Sequence, residues 1–268
     1  LSNANARTFN SATSTRAARA IGAAPRGLAR AAHRLLRLAL PQACALCAAR
    51  AGDALVCGAC TAALPRLPPA CPVCALPTPG GEVCGACLRH PPPFAATVAP
   101  LLYAFPVDRL LQQLKYAGRL AYAEWAAAIL AGRAAVALAA RDPVERPQRI
   151  VALPLAASRQ RERGFNQAQE IAARVARRVG LPLARVLERR VQTVPQAALP
   201  WSERVGNVRG AFAVRRADTL RDARIALVDD VMTTGATLAE AARVLRHAGA
   251  AHVECWVVAR TLPPGEQR

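Results

Sequence analysis

The chain has 268 residues, 53% of them hydrophobic and 4% aromatic, with a formal net charge of +19. That length allows one core of about 150–200 residues plus an accessory unit, and the scarcity of aromatics implies an aliphatic core. No stretch reaches the ~18 consecutive apolar residues of a membrane-spanning helix. The nearest, residues 121–140, carries Glu124 and Arg133, so a soluble, cytoplasmic protein with no transmembrane segment is expected.

The charge is unevenly spread, because residues 1–43 hold seven arginines and no acid. Residues 1–27 resemble a transit peptide in composition but lack the apolar run of a secretory signal, and read as a disordered basic extension. Surplus positive charge favours nucleic acid, nucleotides or an anionic membrane surface. The competing explanation is codon bias, since Lys115 is the only lysine.

Residues 28–40, LARAAHRLLRLAL, have helical spacing and lead into a cysteine-rich unit that ends near residue 92. There CALCAARAGDALVCGAC supplies Cys44, Cys47, Cys57 and Cys60, and CPVCALPTPGGEVCGAC supplies Cys71, Cys74, Cys84 and Cys87. Both copies read C-x2-C-x9-C-x2-C, a tandem repeat offset by 27 residues. Two thiolates on one tight turn reach a single metal, and two such turns complete a tetrahedral site. Two structural Zn2+ ions are expected, with Gly58 and Gly85 serving the turns. A disulfide framework would need an oxidising compartment, and an iron site is the third option. Spacing leaves open whether each repeat closes its own site. Cys255 lies in an apolar strand and reads as core.

After the cysteines, FAATVAPLLYAF predicts a long strand or a strand pair. PVDRLLQQLKYAGR predicts a helix with Leu110, Leu111 and Leu114 on one face and a stop at Gly118. Lys115 falls at the border of that apolar stripe, where a flexible ammonium can snorkel toward a ligand cleft. An alanine-rich helix runs to about Arg141. From residue 149 strands and helices alternate: RIVALP, then the helix NQAQEIAARVARRVG, the strand ARVLER, the strand RIALVDD, the helix ATLAEAARVLRHAGA and the strand HVECWVVAR. Such alternation predicts a parallel sheet covered by helices on both faces.

The stretch IALVDDVMTTGAT, residues 225–237, joins four apolar residues to two acids and a Thr-rich turn. The apolar run suits a central parallel strand, and ligands of such sheets bind at the carboxyl ends of strands. Asp229 and Asp230 would accept hydrogen bonds from hydroxyls and help place Mg2+. Thr233, Thr234, Gly235, Ala236 and Thr237 open the next helix, where free N–H groups hold a phosphate. A ribose 5-phosphate satisfies both halves.

This resembles the 13-residue motif of type I phosphoribosyltransferases. With LKYAGR, VALPLAASRQRERGFNQAQEIA and RVQTVPQAALPWSERVGNVRGAF behind two zinc ribbons, residues 30–260 resemble the ComF family, associated with natural competence and DNA uptake. The resemblance implies an α/β fold: a type I phosphoribosyltransferase-like parallel sheet over residues 93–268, preceded by a double zinc-ribbon domain within residues 28–92. It implies that the two acids hold the ribose hydroxyls of phosphoribosyl pyrophosphate (PRPP), bound with Mg2+, and that the threonine turn holds its 5-phosphate. The turn Pro154 to Ser158, including Leu155 and Ala156, is then the pyrophosphate loop. Arg159, Arg161 and Arg163, at alternate positions, would approach the same anion. Residues 191–209 would be the loop that closes over the reaction centre. Lys115, Arg119, Phe165, Asn166, Gln167, Trp201, Arg204 and Asn207 are candidate contacts to substrate or DNA. About eight residues follow the last strand, so any acceptor-binding hood is expected from the zinc unit and residues 94–140. Two functions compete: a phosphoribosyltransferase of unknown acceptor, or a non-catalytic adaptor for single-stranded DNA and the uptake machinery that keeps the PRPP site as a phosphate or nucleotide sensor.

Overall fold

The computed structural model describes residues 42–190, 208–215 and 217–263. The basic extension, the helix expected over 28–40, and Trp201, Arg204 and Asn207 lie outside the described residues.

The first knuckles of the two cysteine repeats fold alike. Cys44 N–H donates to the Ala49 carbonyl and, 27 positions on, Cys71 N–H donates to Leu76; the bridge Ala43–Arg50 recurs as Ala70–Pro77. The left-handed turn position falls on Ala48 and Ala75, both at φ 59°. The expected turn glycines serve elsewhere: Gly58 and Gly85 open the short helices α1 (Gly58–Ala62) and α2 (Gly85–Arg89), whose N-caps are Cys57 and Cys84.

Strands β1 (Ala96–Val98) and β2 (Leu101–Leu102) come from the expected strand pair and both run parallel to β8 (His252–Arg260). Between them lie α3 (Val107–Ala117), α4 (Ala121–Ala139), β3 (Arg149–Ala152), α5 (Ala157–Arg163), α6 (Gln167–Val179), β4 (Leu183–Ala184), β5 (Leu187–Arg189), β6 (Phe212–Val214), β7 (Arg224–Met232) and α7 (Ala236–His247). The main sheet is parallel, in the order β1-β8-β7-β3-β4 with β2 also on β8, while β5 and β6 form a separate antiparallel pair. The single strand expected over ARVLER is therefore two short strands in two sheets. Asn166 caps α6 by accepting from the N–H groups of Ala168 and Gln169.

Alternation along β7 sends Ala226 and Val228 into a core with α3, α4 and α6, and Ile225 and Leu227 into a core with α7. The ribbons straddle the sheet edge. Val56 and Leu64 of the first join the former core, and Ala75 of the second joins the latter. Helix α4 is long and apolar enough to cross a membrane. Its Tyr122, Trp125 and Leu130 are instead buried in the core, and its Glu124 meets Arg174 of α6 at 3.1 Å.

Candidate functional site

From β3 the chain proceeds to β4 on one side of the sheet, and from β7 to β8 on the other. Order thus reverses between β3 and β7, which is where a parallel sheet opens a crevice at its carboxyl end. Pairing of β3 with β7 stops at Ala152–Val228, and β3 leads into Leu153 and Pro154. The crevice is a cavity of about 510 Å³, lined on its floor by Asp229, Asp230, Thr233, Gly235 and Thr237.

The acids sit inside β7 and not beyond it: Asp229 still pairs with Val257, and the strand runs to Met232. Alternation places Asp230 on the α3 side. There its Oδ2 lies 2.6 Å from Lys115 Nζ, with the two side chains 5% and 19% exposed. Burial alone would lower the lysine's pKa, but the facing Asp230 charge raises it, so the ammonium persists. Asp229 Oδ1 accepts from the Asp230 N–H at 2.8 Å. Protein packed around Asp229, and then the neighbouring Asp230 charge, push its carboxyl well above the usual range.

The Thr-rich turn divides its labour. Thr233, Gly235 and Thr237 face the cavity, Thr234 Oγ1 accepts from Ala236 N–H at 3.3 Å, and Ala236 is buried. Gly235 adopts φ 82°; an added Cβ would make only ordinary contacts, the nearest at 3.8 Å, so its backbone conformation and not space demands glycine.

The opposite wall is cationic. Leu155 and Ala156 line it, followed by α5, a helix where a turn was expected. Helical period explains the arginines: Arg159 and Arg163, four apart, line the cavity, while Arg161 is exposed on the other side. Arg163 donates to Gln167 Oε1 at 3.0 Å and stacks over Tyr116 at 5.2 Å. Arg189 joins them, its pKa lowered by burial and by the Arg159 charge. Four cations against two acids leave the cavity positive, suited to a polyanion that also presents hydroxyls.

Asn166 and Gln167 also line the cavity, but both are engaged in holding it: Asn166 Nδ2 donates to the Leu153 carbonyl at 3.0 Å. Arg119 is exposed and Phe165 half-buried, and neither lines the cavity. Tyr103, Gln112, Tyr116, Arg189 and Thr261, which no sequence motif singles out, line it as well. Two of them carry a signal in the sequence, because Gln112 and Tyr116 fall on the face of α3 away from the leucines, next to Lys115 at the stripe's border.

Each repeat gathers its own cysteine tetrad, a grouping that spacing alone leaves open. The sulfurs of Cys44, Cys47, Cys57 and Cys60 lie within 4.8 Å of one another, as do those of Cys71, Cys74, Cys84 and Cys87. Cys47–Cys57 and Cys74–Cys84 are each 3.7 Å apart. Tetrahedral Zn–S bonds of about 2.3 Å give an edge near 3.8 Å, whereas a disulfide needs about 2.05 Å. The Cys57 N–H donates to Cys44 Sγ and holds that thiol down at about 6, while the neighbouring Cys47 and Cys57 thiols push Cys60 up to about 12. Four crowded sulfurs ionise together only around a cation. Metal analysis should find two zincs per chain, falling to one in Cys57→Ser with the sheet intact; a folded protein with neither site filled would contradict the assignment.

A double zinc ribbon domain matches residues 35–88, and a phosphoribosyl transferase domain matches residues 164–265. Fold, crevice and tetrads thus define a phosphoribosyltransferase-fold protein carrying an N-terminal double zinc ribbon. The chain belongs to the ComF family. It is 34% identical to the DNA utilization protein YhgH of Salmonella typhimurium over 177 residues, 65% of this chain and 76% of that one. It is 32% identical to Competence protein F of Haemophilus influenzae over 165 residues, 59% and 69% of the two chains. Among solved structures, a purine phosphoribosyltransferase from Pyrococcus horikoshii aligns with 64% of this chain and 95% of its own, at TM-score 0.31 and 18% identity. Helix α3, with Gln112, Lys115 and Tyr116, lies outside both matched domains.

Proposed function

We propose that this protein binds PRPP in the β3–β7 crevice and transfers its phosphoribosyl group to an acceptor held beneath α3. The observation that carries this reading is one cavity holding an acid pair, a threonine turn and Arg159, Arg163 and Arg189. The turn takes the 5-phosphate, and the carboxylates of Asp229 and Asp230 accept from the ribose hydroxyls. Backbone N–H groups of Leu155 and Ala156, with the guanidiniums, take the diphosphate. When bound with PRPP, Mg2+ would neutralise diphosphate charge, and Asp229 and Asp230 would help hold it. Transfer breaks the bond from the anomeric carbon to the diphosphate oxygen, which leaves with the electron pair. The acceptor's lone pair forms the new bond, and the acids offset positive charge on the ring. Gln112 and Tyr116 line the side of the cavity left for the acceptor.

The relatives' names, DNA utilization protein and Competence protein F, and the chain's net charge of +19 are the support for our further reading that it handles single-stranded DNA. Tyr116 and Phe105, 76% and 77% exposed, offer aromatic faces for bases. Calorimetric titration with PRPP and Mg2+, with and without single-stranded DNA, tests both. One saturating site per chain that requires Mg2+ is expected, together with DNA affinity that falls steeply with salt as counterions are released. No PRPP binding would overturn the proposal. Binding without any diphosphate release across a panel of bases and amines would favour the sensor-adaptor reading.

A further inference from the structure

Arg260 ends β8 and yet is 2% exposed. Its Nε donates to the carbonyl of Cys74 at 2.9 Å. Its Nη1 donates to the carbonyls of Met232 at 3.0 Å and Thr261 at 2.7 Å, and also reaches that of Thr233. One buried guanidinium therefore bridges a zinc-ligand residue of the second ribbon and the first residues of the threonine turn. Burial opposes its charge, and the nearby sulfurs of Cys74, Cys87 and Cys84 partly offset that cost. Four thiolates around one Zn2+ carry two net negative charges, which gives a buried cation its counter-charge.

The second ribbon is gripped elsewhere too. Thr97 N–H donates to the Pro72 carbonyl at 2.9 Å and Thr97 Oγ1 to the Val73 carbonyl at 2.6 Å. With Arg260, three consecutive carbonyls of the Cys71–Cys74 knuckle are tied to the sheet. Phe94, just beyond this ribbon, approaches to 3.9 Å of where a Gly235 side chain would begin. The corresponding residue of the first ribbon, Cys47, is exposed.

We propose that Arg260 is a positioning residue that couples the second zinc site, and not the first, to the ligand turn of residues 232–237. Metal in the Cys71–Cys87 tetrad fixes the Cys74 carbonyl; that carbonyl aims the guanidinium, and the guanidinium holds the Met232 and Thr233 carbonyls and with them the start of the turn. The inference rests on the tetrads holding metal and on this turn being the ligand turn, but not on which ligand enters.

Hydrogen exchange of the full-length protein, read by mass spectrometry without PRPP, tests it. Peptides covering residues 232–238 should exchange about tenfold or more faster in Cys84→Ser and in Arg260→Gln, and at the wild-type rate in Cys57→Ser. Arg260→Lys, which keeps the charge but cannot span the four carbonyls, should resemble Arg260→Gln. If the Arg260 variants do not fold, the comparison of Cys84→Ser with Cys57→Ser decides alone. Equal exchange in those two, unchanged exchange in Cys84→Ser, or a wild-type Cys71–Cys87 site without metal would overturn the coupling. Because no PRPP is present, its failure to bind in a separate titration would leave this result standing.

Discussion

Asp229→Asn should move ligand affinity and stability in opposite directions. The substitution removes one carboxylate acceptor for a ribose hydroxyl. A charge-assisted hydrogen bond is worth about 1.5–3 kcal/mol, so PRPP affinity should fall by about ten- to a hundredfold by calorimetry. The ligand-free fold should gain. Asp229 is a carboxyl whose pKa is raised, first by burial and then by Asp230. Its folded pKa lies above its unfolded one, so the folded state holds the extra proton. Stability is therefore lost as pH rises from the ordinary carboxyl value through the folded value. The amide cannot ionise and escapes that loss, while its oxygen can still accept from the Asp230 N–H. Each kcal/mol recovered should raise the melting temperature by about 2–4 °C in a domain of this size. The gain should vanish near the ordinary carboxyl pKa and grow as pH rises. A destabilised variant at neutral pH, or one with undiminished PRPP affinity, would contradict this placement of strain at the ligand site.

The parts of this site legible in sequence are those where one local rule dominates. β7 shows itself because a strand buried on both faces must be apolar until it meets the ligand. The tetrads show themselves because a knuckle needs fixed cysteine spacing. Helix α5 stayed hidden for the converse reason: its residues ASRQRER include no buried side chain, so no apolar stripe marks its period. Its arginines then read as an alternating loop, when only two of the three share a face. Arg260 gave no signal because its partners are main-chain carbonyls brought together by folding, among them Met232 and Cys74, 28 and 186 residues away. Lys115 was visible as an oddity of composition, and its place on the wheel followed from the leucines. Its partner did not: that needed the strand's alternation to be set against the side of the sheet that α3 covers.

That partnership carries the second large effect. Lys115→Met should destabilise the protein by about 3–5 kcal/mol, because it leaves the Asp230 carboxylate, 5% exposed, without its cation 2.6 Å away. Asp230→Asn should cost a comparable amount by stranding the ammonium. Had the two acids served ligand alone, neither change would disturb the fold. The double variant, Lys115→Met with Asp230→Asn, should recover much of the sum, since both charges leave the interior together. Denaturant melts of the four proteins give the coupling directly, and additive losses would mean that the pair contributes nothing. Lys115→Arg separates charge from shape. It keeps the positive charge, but a guanidinium is broader than an ammonium and would enter a cavity that already holds those of Arg159, Arg163 and Arg189. Its stability should lie near wild type, while PRPP affinity falls by about tenfold, a loss near 1.4 kcal/mol. An arginine variant that binds PRPP as tightly as the wild type would reduce Lys115 to a structural ion pair with no hand in the ligand.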